Sequence, residues 1–213
     1  MRPQHLIFSL GSIFVLINPI TACTISSSNI QLDNGDRIVA PLDSATLLQQ
    51  GIAKSELGNY QAAMADFNQA ILINPSDGNA YYNRGLAYIE LGELEKAIED
   101  FSQAIELTPK FFEAYVNRGN IYLNLGDYPK AMADYLKAIS INPDDAFAHN
   151  NLGLAYFNAG NHQSAIVEFT KAVSLDPNYA EAYYNRGLAI AEVGDQKTAE
   201  VDFQKAEDLW QKK

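Results

Sequence analysis

From Ser44 onward the sequence repeats itself every 34 residues, and that period constrains the fold more than any other feature. Pro75, Pro109, Pro143 and Pro177 keep this spacing, as do Gly51, Gly85, Gly119, Gly153 and Gly187. Two alanine rows follow it: Ala63, Ala97, Ala131, Ala165 and Ala199, then Ala70, Ala104, Ala138, Ala172 and Ala206. An aromatic row runs through Phe67, Phe101, Tyr135, Phe169 and Phe203. Five units, 44–77, 78–111, 112–145, 146–179 and 180–213, fill the chain without a gap.

Each unit reads as two helices. In 78–111, Tyr81, Gly85 and Tyr88 share one face of a first helix, which Leu91-Gly92 ends, glycine being suited to a left-handed cap. Leu94, Ala97, Ile98, Phe101, Ala104 and Ile105 form the apolar face of a second helix, which stops at Pro109 because proline lacks an N–H. Small Gly85 and Ala97 let the two helices approach. One unit cannot cover its own apolar faces, so neighbours must stack.

Tyr81, Gly85, Tyr88, Ala97, Phe101, Ala104 and Pro109 resemble the tetratricopeptide-repeat pattern, and the resemblance covers about four-fifths of the chain. It implies an all-α solenoid, a right-handed superhelix of about ten antiparallel helices, with a concave groove that binds polypeptide. The chain departs from the pattern at the residue before the first glycine. The family's leucine is kept only as Leu152; Gln50, Arg84, Arg118 and Arg186 replace it elsewhere. Asp100, Asp134 and Asp202 on the second helices are candidate structural partners for these arginines. In the last unit Glu200 and Glu207 stand where earlier units carry apolar residues. This charged face reads as the end of the stack, with Trp210 folding over the remaining apolar edge.

Position six of each unit forms a polar row: Gln49, Asn83, Asn117, Asn151 and Asn185. Position six lies roughly 160° from positions four and eight, away from its own unit's core. The same stripe includes Leu86 and Leu154, as well as Glu90, Glu113, Glu181 and Glu192, and Tyr82 and Tyr184 flank it. In the resembled family this stripe lines the groove, and the row is similar to the asparagine ladder of O-linked N-acetylglucosamine transferases. That likeness implies peptide contact by Asn83, Asn117, Asn151, Asn185, Tyr82, Tyr184, Leu86 and Leu154. A carboxamide offers both a donor and an acceptor to a peptide group; the competing reading has the amides bridge adjacent units. The basic positions of carboxylate-clamp members of the family hold Leu48, Tyr82, Val116, Glu113 and Glu181 here, so a free carboxylate terminus is not expected as ligand.

The chain carries 15 basic and 26 acidic residues, a net charge of −11. Such a surface repels phosphate backbones and argues against nucleic-acid binding. His149 and His162 occupy positions that are tyrosine in other units and read as core substitutions. No cofactor, metal site or catalytic constellation is expected.

Residues 1–22 read as a secretory signal: Arg2 and His5, an apolar run from Leu6 to Ile17, then small residues. That run, about 12 residues, is shorter than the roughly 20 needed to span a bilayer. Ile20-Thr21-Ala22-Cys23 resembles the bacterial lipobox, which implies acylation (palmitate or a similar chain) at Cys23, the only cysteine. Residues 23–43 then read as lipid attachment site and tether. The functional expectation is a non-enzymatic scaffold in a bacterial cell envelope, lipid-anchored on the extracytoplasmic side. It would dock a neutral or basic extended segment of a protein partner in assembly or regulation of an envelope complex. A self-associating structural protein is the alternative, and an enzyme with a dispersed site built on Glu90, Glu113 and Glu192 a remote one.

Overall fold

The computed structural model describes residues 42–212. The expected signal, Cys23 and most of the tether lie outside them. Ten helices, and no strand, are present among the described residues: α1 (Ser44–Glu56), α2 (Tyr60–Ile73), α3 (Gly78–Glu90), α4 (Leu94–Leu107), α5 (Phe112–Asn124), α6 (Tyr128–Ile141), α7 (Ala146–Asn158), α8 (His162–Leu175), α9 (Ala180–Glu192) and α10 (Gln196–Trp210). No helix among them is long and apolar enough to cross a membrane.

The turn inside every unit is made the same way. Gly58, Gly92, Gly126, Gly160 and Gly194 all take positive φ, between 74° and 94°. This is the left-handed conformation that lets a helix stop and reverse, and it disfavours a residue with a Cβ. The backbone shows the matching bonds: Gly92 N–H donates to the Ile89 carbonyl, and Glu93 N–H to the Tyr88 carbonyl. Side chains of Asp43, Asp77, Asp127, Asp145, Asn161 and Asp195 cap six of the helix N-termini.

Within a unit the aromatic of the second helix packs directly against the first helix's glycine. Phe67, Phe101, Tyr135 and Phe169 are fully buried. A Cβ added to Gly85 would sit 2.8 Å from Phe101 Cε1, and one on Gly119 2.9 Å from Tyr135 Cε1. The ring could not stay where it is, which is why these positions are glycine. The alanine rows, nearly all at 0–1% exposure, bring neighbouring helices equally close.

Successive units stack through the second helix of one against the first helix of the next, so Ala80 and Ala87 of α3 join the core of the first unit. First helices also touch across units (α1 with α3, α5 with α7, α7 with α9), whereas no comparable contact joins one second helix to the next. The first helices are therefore the more closely spaced layer. They form the inside of the curve, and the second helices form the outside.

Candidate functional site

The inner layer is held in place by a recurring ion pair. Arg84, Arg118 and Arg186 on α3, α5 and α9 each grip an aspartate of the same unit's second helix with two bonds. Arg84 Nε donates to Asp100 Oδ2 and Nη2 to Oδ1, both at 2.7 Å; Arg118–Asp134 and Arg186–Asp202 repeat the geometry at 2.6–2.8 Å. A third bond reaches back to the preceding unit. Arg84 Nη1 donates to Asn68 Oδ1 at 2.8 Å, and Arg118 Nη1 to Ser102 Oγ at 2.8 Å. Each arginine thus ties its own helix pair together and fixes that pair on its neighbour. The aspartates are 4–5% exposed, so removing one partner would leave a buried charge, a loss of about 3–5 kcal/mol. Unit one builds the same link from Lys54 and Asp66. Unit four, with Leu152 in the arginine's place, substitutes another pair. The ring nitrogens of His149 face Glu168 Oε2 at 2.7 Å and the Pro143 carbonyl at 3.1 Å. His149 is a core residue, as its register implies.

The asparagine row is not a uniform exposed ladder. Asn117 is completely buried and Asn151 is 6% exposed; only Asn83 and Asn185 are partly accessible. Asn117 Nδ2 donates to the Tyr82 hydroxyl of the preceding unit at 3.0 Å. Further along, a chain of amides crosses three units. Asn185 Nδ2 donates to Asn150 Oδ1 (3.0 Å), Asn150 Nδ2 to Asn151 Oδ1 (3.3 Å), and Asn151 Nδ2 to Asn120 Oδ1 (3.0 Å). The Tyr135 hydroxyl donates to that same Asn120 oxygen at 2.7 Å. Asn83 Nδ2 bonds one turn back to the Asn79 carbonyl at 2.8 Å.

These placements correct part of the expected peptide-contact set. Asn117 and Asn151 point away from their own unit's core, but the first helices of neighbouring units cover that sector, so their amides bridge units. Tyr82, 4% exposed, is likewise interior. Its ring lies 5.7 Å from Phe101 and 4.7 Å from Phe111, and burial, followed by the nearby Glu113 carboxylate, pushes its phenol well above the ordinary tyrosine range. Tyr184 is half-buried between Phe203 and Trp210, with ring centroids 5.5 and 5.7 Å away. Trp210 thereby packs on Tyr184 of the last unit while remaining 39% exposed itself, and Val201 of the same helix stays open. Leu86 and Leu154 are half-buried and remain available on the inner layer, together with Asn83 and Asn185.

The family model described as TPR repeat matches residues 53–92, 85–126, 119–160 and 155–194. The chain belongs to the tetratricopeptide-repeat (TPR) family. Solved structures agree with this TPR assignment. A crystal structure of MamA is 27% identical with a TM-score of 0.72, over 76% of this chain and 95% of that one. MamA 41-end from Desulfovibrio magneticus RS-1 is 25% identical with a TM-score of 0.75, over 80% and 96% of the two chains. YrrB, described as a TPR protein with an unusual peptide-binding site, is 23% identical with a TM-score of 0.70, over 78% and 86%; at that identity the likeness is one of fold. No curated protein matches the chain.

Two asparagines outside the position-six row, Asn120 and Asn150, are also interior to this TPR inner layer. The sequence carries a signal for them: positions five and nine are otherwise apolar or aromatic (Leu48, Tyr82, Val116, Tyr184; Ile52, Leu86, Leu154, Leu188), so an asparagine in each is an anomaly. Tyr135, the one hydroxylated member of the aromatic row, marks where the buried amide needs a donor.

Proposed function

We propose that this TPR protein is a scaffold that docks an extended segment of a partner polypeptide along its inner layer of first helices. The observation that carries this reading is the inner surface left beside the structural bonds. Leu86, Leu154 and Leu188 are half-buried there, Asn83 and Asn185 are partly accessible, and Asn79 and Asn124 are exposed. Amides and leucines side by side suit a polypeptide, which presents peptide groups and side chains together. A neutral or basic segment fits better than an acidic one, because no unpaired basic side chain lies on the first helices (Lys54, Arg84, Arg118 and Arg186 all meet carboxylates).

In the same reading the scaffold is held to a membrane by acylated Cys23 and serves assembly or regulation of an envelope complex from the extracytoplasmic side. Support for this part comes from the pattern of residues 1–23. One experiment tests both parts. A photo-crosslinking side chain is placed at Asn79 or Asn124 on the inner layer, or at Leu136 or Val167, exposed on second helices, in cells fed radiolabelled fatty acid. The expected result is a defined crosslinked polypeptide from the inner positions alone, on a chain whose label disappears with Cys23→Ala. Equal crosslinking from both surfaces would defeat the docking assignment, and an unlabelled wild-type chain would defeat the lipid anchor.

A further inference from the structure

The free basic side chains of this solenoid are confined to one of its two layers. On the first helices the basic side chains are Lys54, Arg84, Arg118 and Arg186, and each is held by an acid of its own unit's second helix. The other lysines with described side chains sit on second helices or in turns: Lys96, Lys110, Lys130, Lys137, Lys171, Lys197, Lys205 and Lys212. The glutamates of the first helices show the opposite pattern. Glu56, Glu90, Glu113, Glu181 and Glu192 take part in no ion pair among the described residues, although Lys96 and Lys130 do pair, with Glu93 and Asp127.

Two of these glutamates are placed by the tyrosines beside them. Glu113 lies close enough to the Tyr82 hydroxyl, itself bonded to Asn117, for its charge to push that phenol upward after burial has done so. Glu90 acts in the same way on Tyr60, the first residue of α2 in the unit before it, second after burial, and accepts a hydrogen bond from that hydroxyl. Both carboxylates therefore lie where one unit meets the next, and α3, which carries Glu90, also carries half-buried Leu86 and exposed Asn79. Leu154, Leu188 and Phe147 are likewise half-buried on the first helices of units four and five, and Glu181 and Glu192 are exposed on α9.

We propose that the occupant of the inner layer is an extended segment carrying lysine or arginine side chains among apolar ones. Its basic groups meet Glu90, Glu113 and Glu181 while its apolar groups rest on the leucines. The proposal rests on the docking reading above and narrows it. An acidic segment is repelled by every uncompensated charge on this surface. A purely neutral one leaves Glu90, Glu113 and Glu181 facing a chain that offers them nothing, and like-charge or unmatched charge at a contact discriminates between partners more than it adds strength.

The test uses the full chain and fluorescent peptides of about twelve residues, alike in apolar content, whose remaining positions are all lysine, all glutamine or all glutamate. Anisotropy titrations are run at low and high salt. The expected order is lysine over glutamine over glutamate. The lysine peptide should bind about ten-fold tighter than the glutamine peptide at low salt, the work of three exposed ion pairs acting together. That margin shrinks as salt screens the pairs. The triple change Glu90→Gln, Glu113→Gln, Glu181→Gln should erase the margin. The matched triple on the outer surface, Glu95→Gln, Glu99→Gln, Glu106→Gln, should keep it, with circular dichroism showing both variants folded. If lysine and glutamine peptides bind alike at the inner layer, the basic occupant is overturned and docking stands. If the preference is lost only in the outer triple, the charge argument is overturned. If no peptide binds and inner-layer crosslinking also captures nothing, docking itself falls.

Discussion

Asn120 and Tyr135 show how single residues set the interior of this solenoid. A buried carboxamide is tolerable only if its donor and acceptor are satisfied. Here the Tyr135 hydroxyl and the Asn151 amide both donate to the Asn120 oxygen. The residue replaces an apolar one and the tyrosine replaces a phenylalanine, so the two exceptions answer each other. Asn120→Leu alone would leave two buried donors without that acceptor, at about 1–3 kcal/mol for each unsatisfied group. Adding Tyr135→Phe removes one of those donors. Urea unfolding should show the single variant clearly destabilised and the double variant recovering about 1 kcal/mol or more of the loss. A double variant no more stable than the single would mean that the hydroxyl bond contributes nothing.

At the scale of helices and turns, most of the architecture was legible in the sequence. The glycines that take positive φ, the ring-packed glycines and the arginine–aspartate pairs lie at positions the period marks, because each depends on neighbours inside one unit or on a fixed offset. The asparagine row is less legible. A helical wheel reports which face of Asn117 or Asn151 turns from its own partner helix. It does not report that the adjoining unit arrives on that face. The N-caps carry a further consequence. Hydrogen bonds from Thr46, Lys130 and Thr198 hold the carboxyls of Asp43, Asp127 and Asp195 below the ordinary aspartate value of 3.8. A carboxyl lowered in the folded state stabilises fully above its unfolded value, and that contribution is lost as pH falls through the folded one. The stabilisation from these caps should therefore be lost as pH falls below the ordinary aspartate value. A chain with Asp127→Asn and Asp195→Asn, which keeps an N-capping oxygen, should lose stability less steeply in chemical unfolding followed across that fall in pH. An unchanged slope would show that these caps do not carry the acid response.

For the whole molecule, two kinds of bond between units act together. Arg84 and Arg118 reach back across the second-helix layer, while the amide chain from Asn185 to Asn120 joins units three to five on the first-helix side. Both layers are thereby tied, which restrains the inner surface before any partner arrives. Preorganisation of this kind lowers the ordering cost of binding. It leaves the partner segment as the component that must become ordered. Hydrogen–deuterium exchange of the full chain, with and without the segment recovered by inner-layer crosslinking, tests this account most directly. The expected result is added protection confined to α3, α5, α7 and α9, with the second helices unchanged. Protection appearing on α10 or across the second helices, with the first helices unaffected, would contradict it.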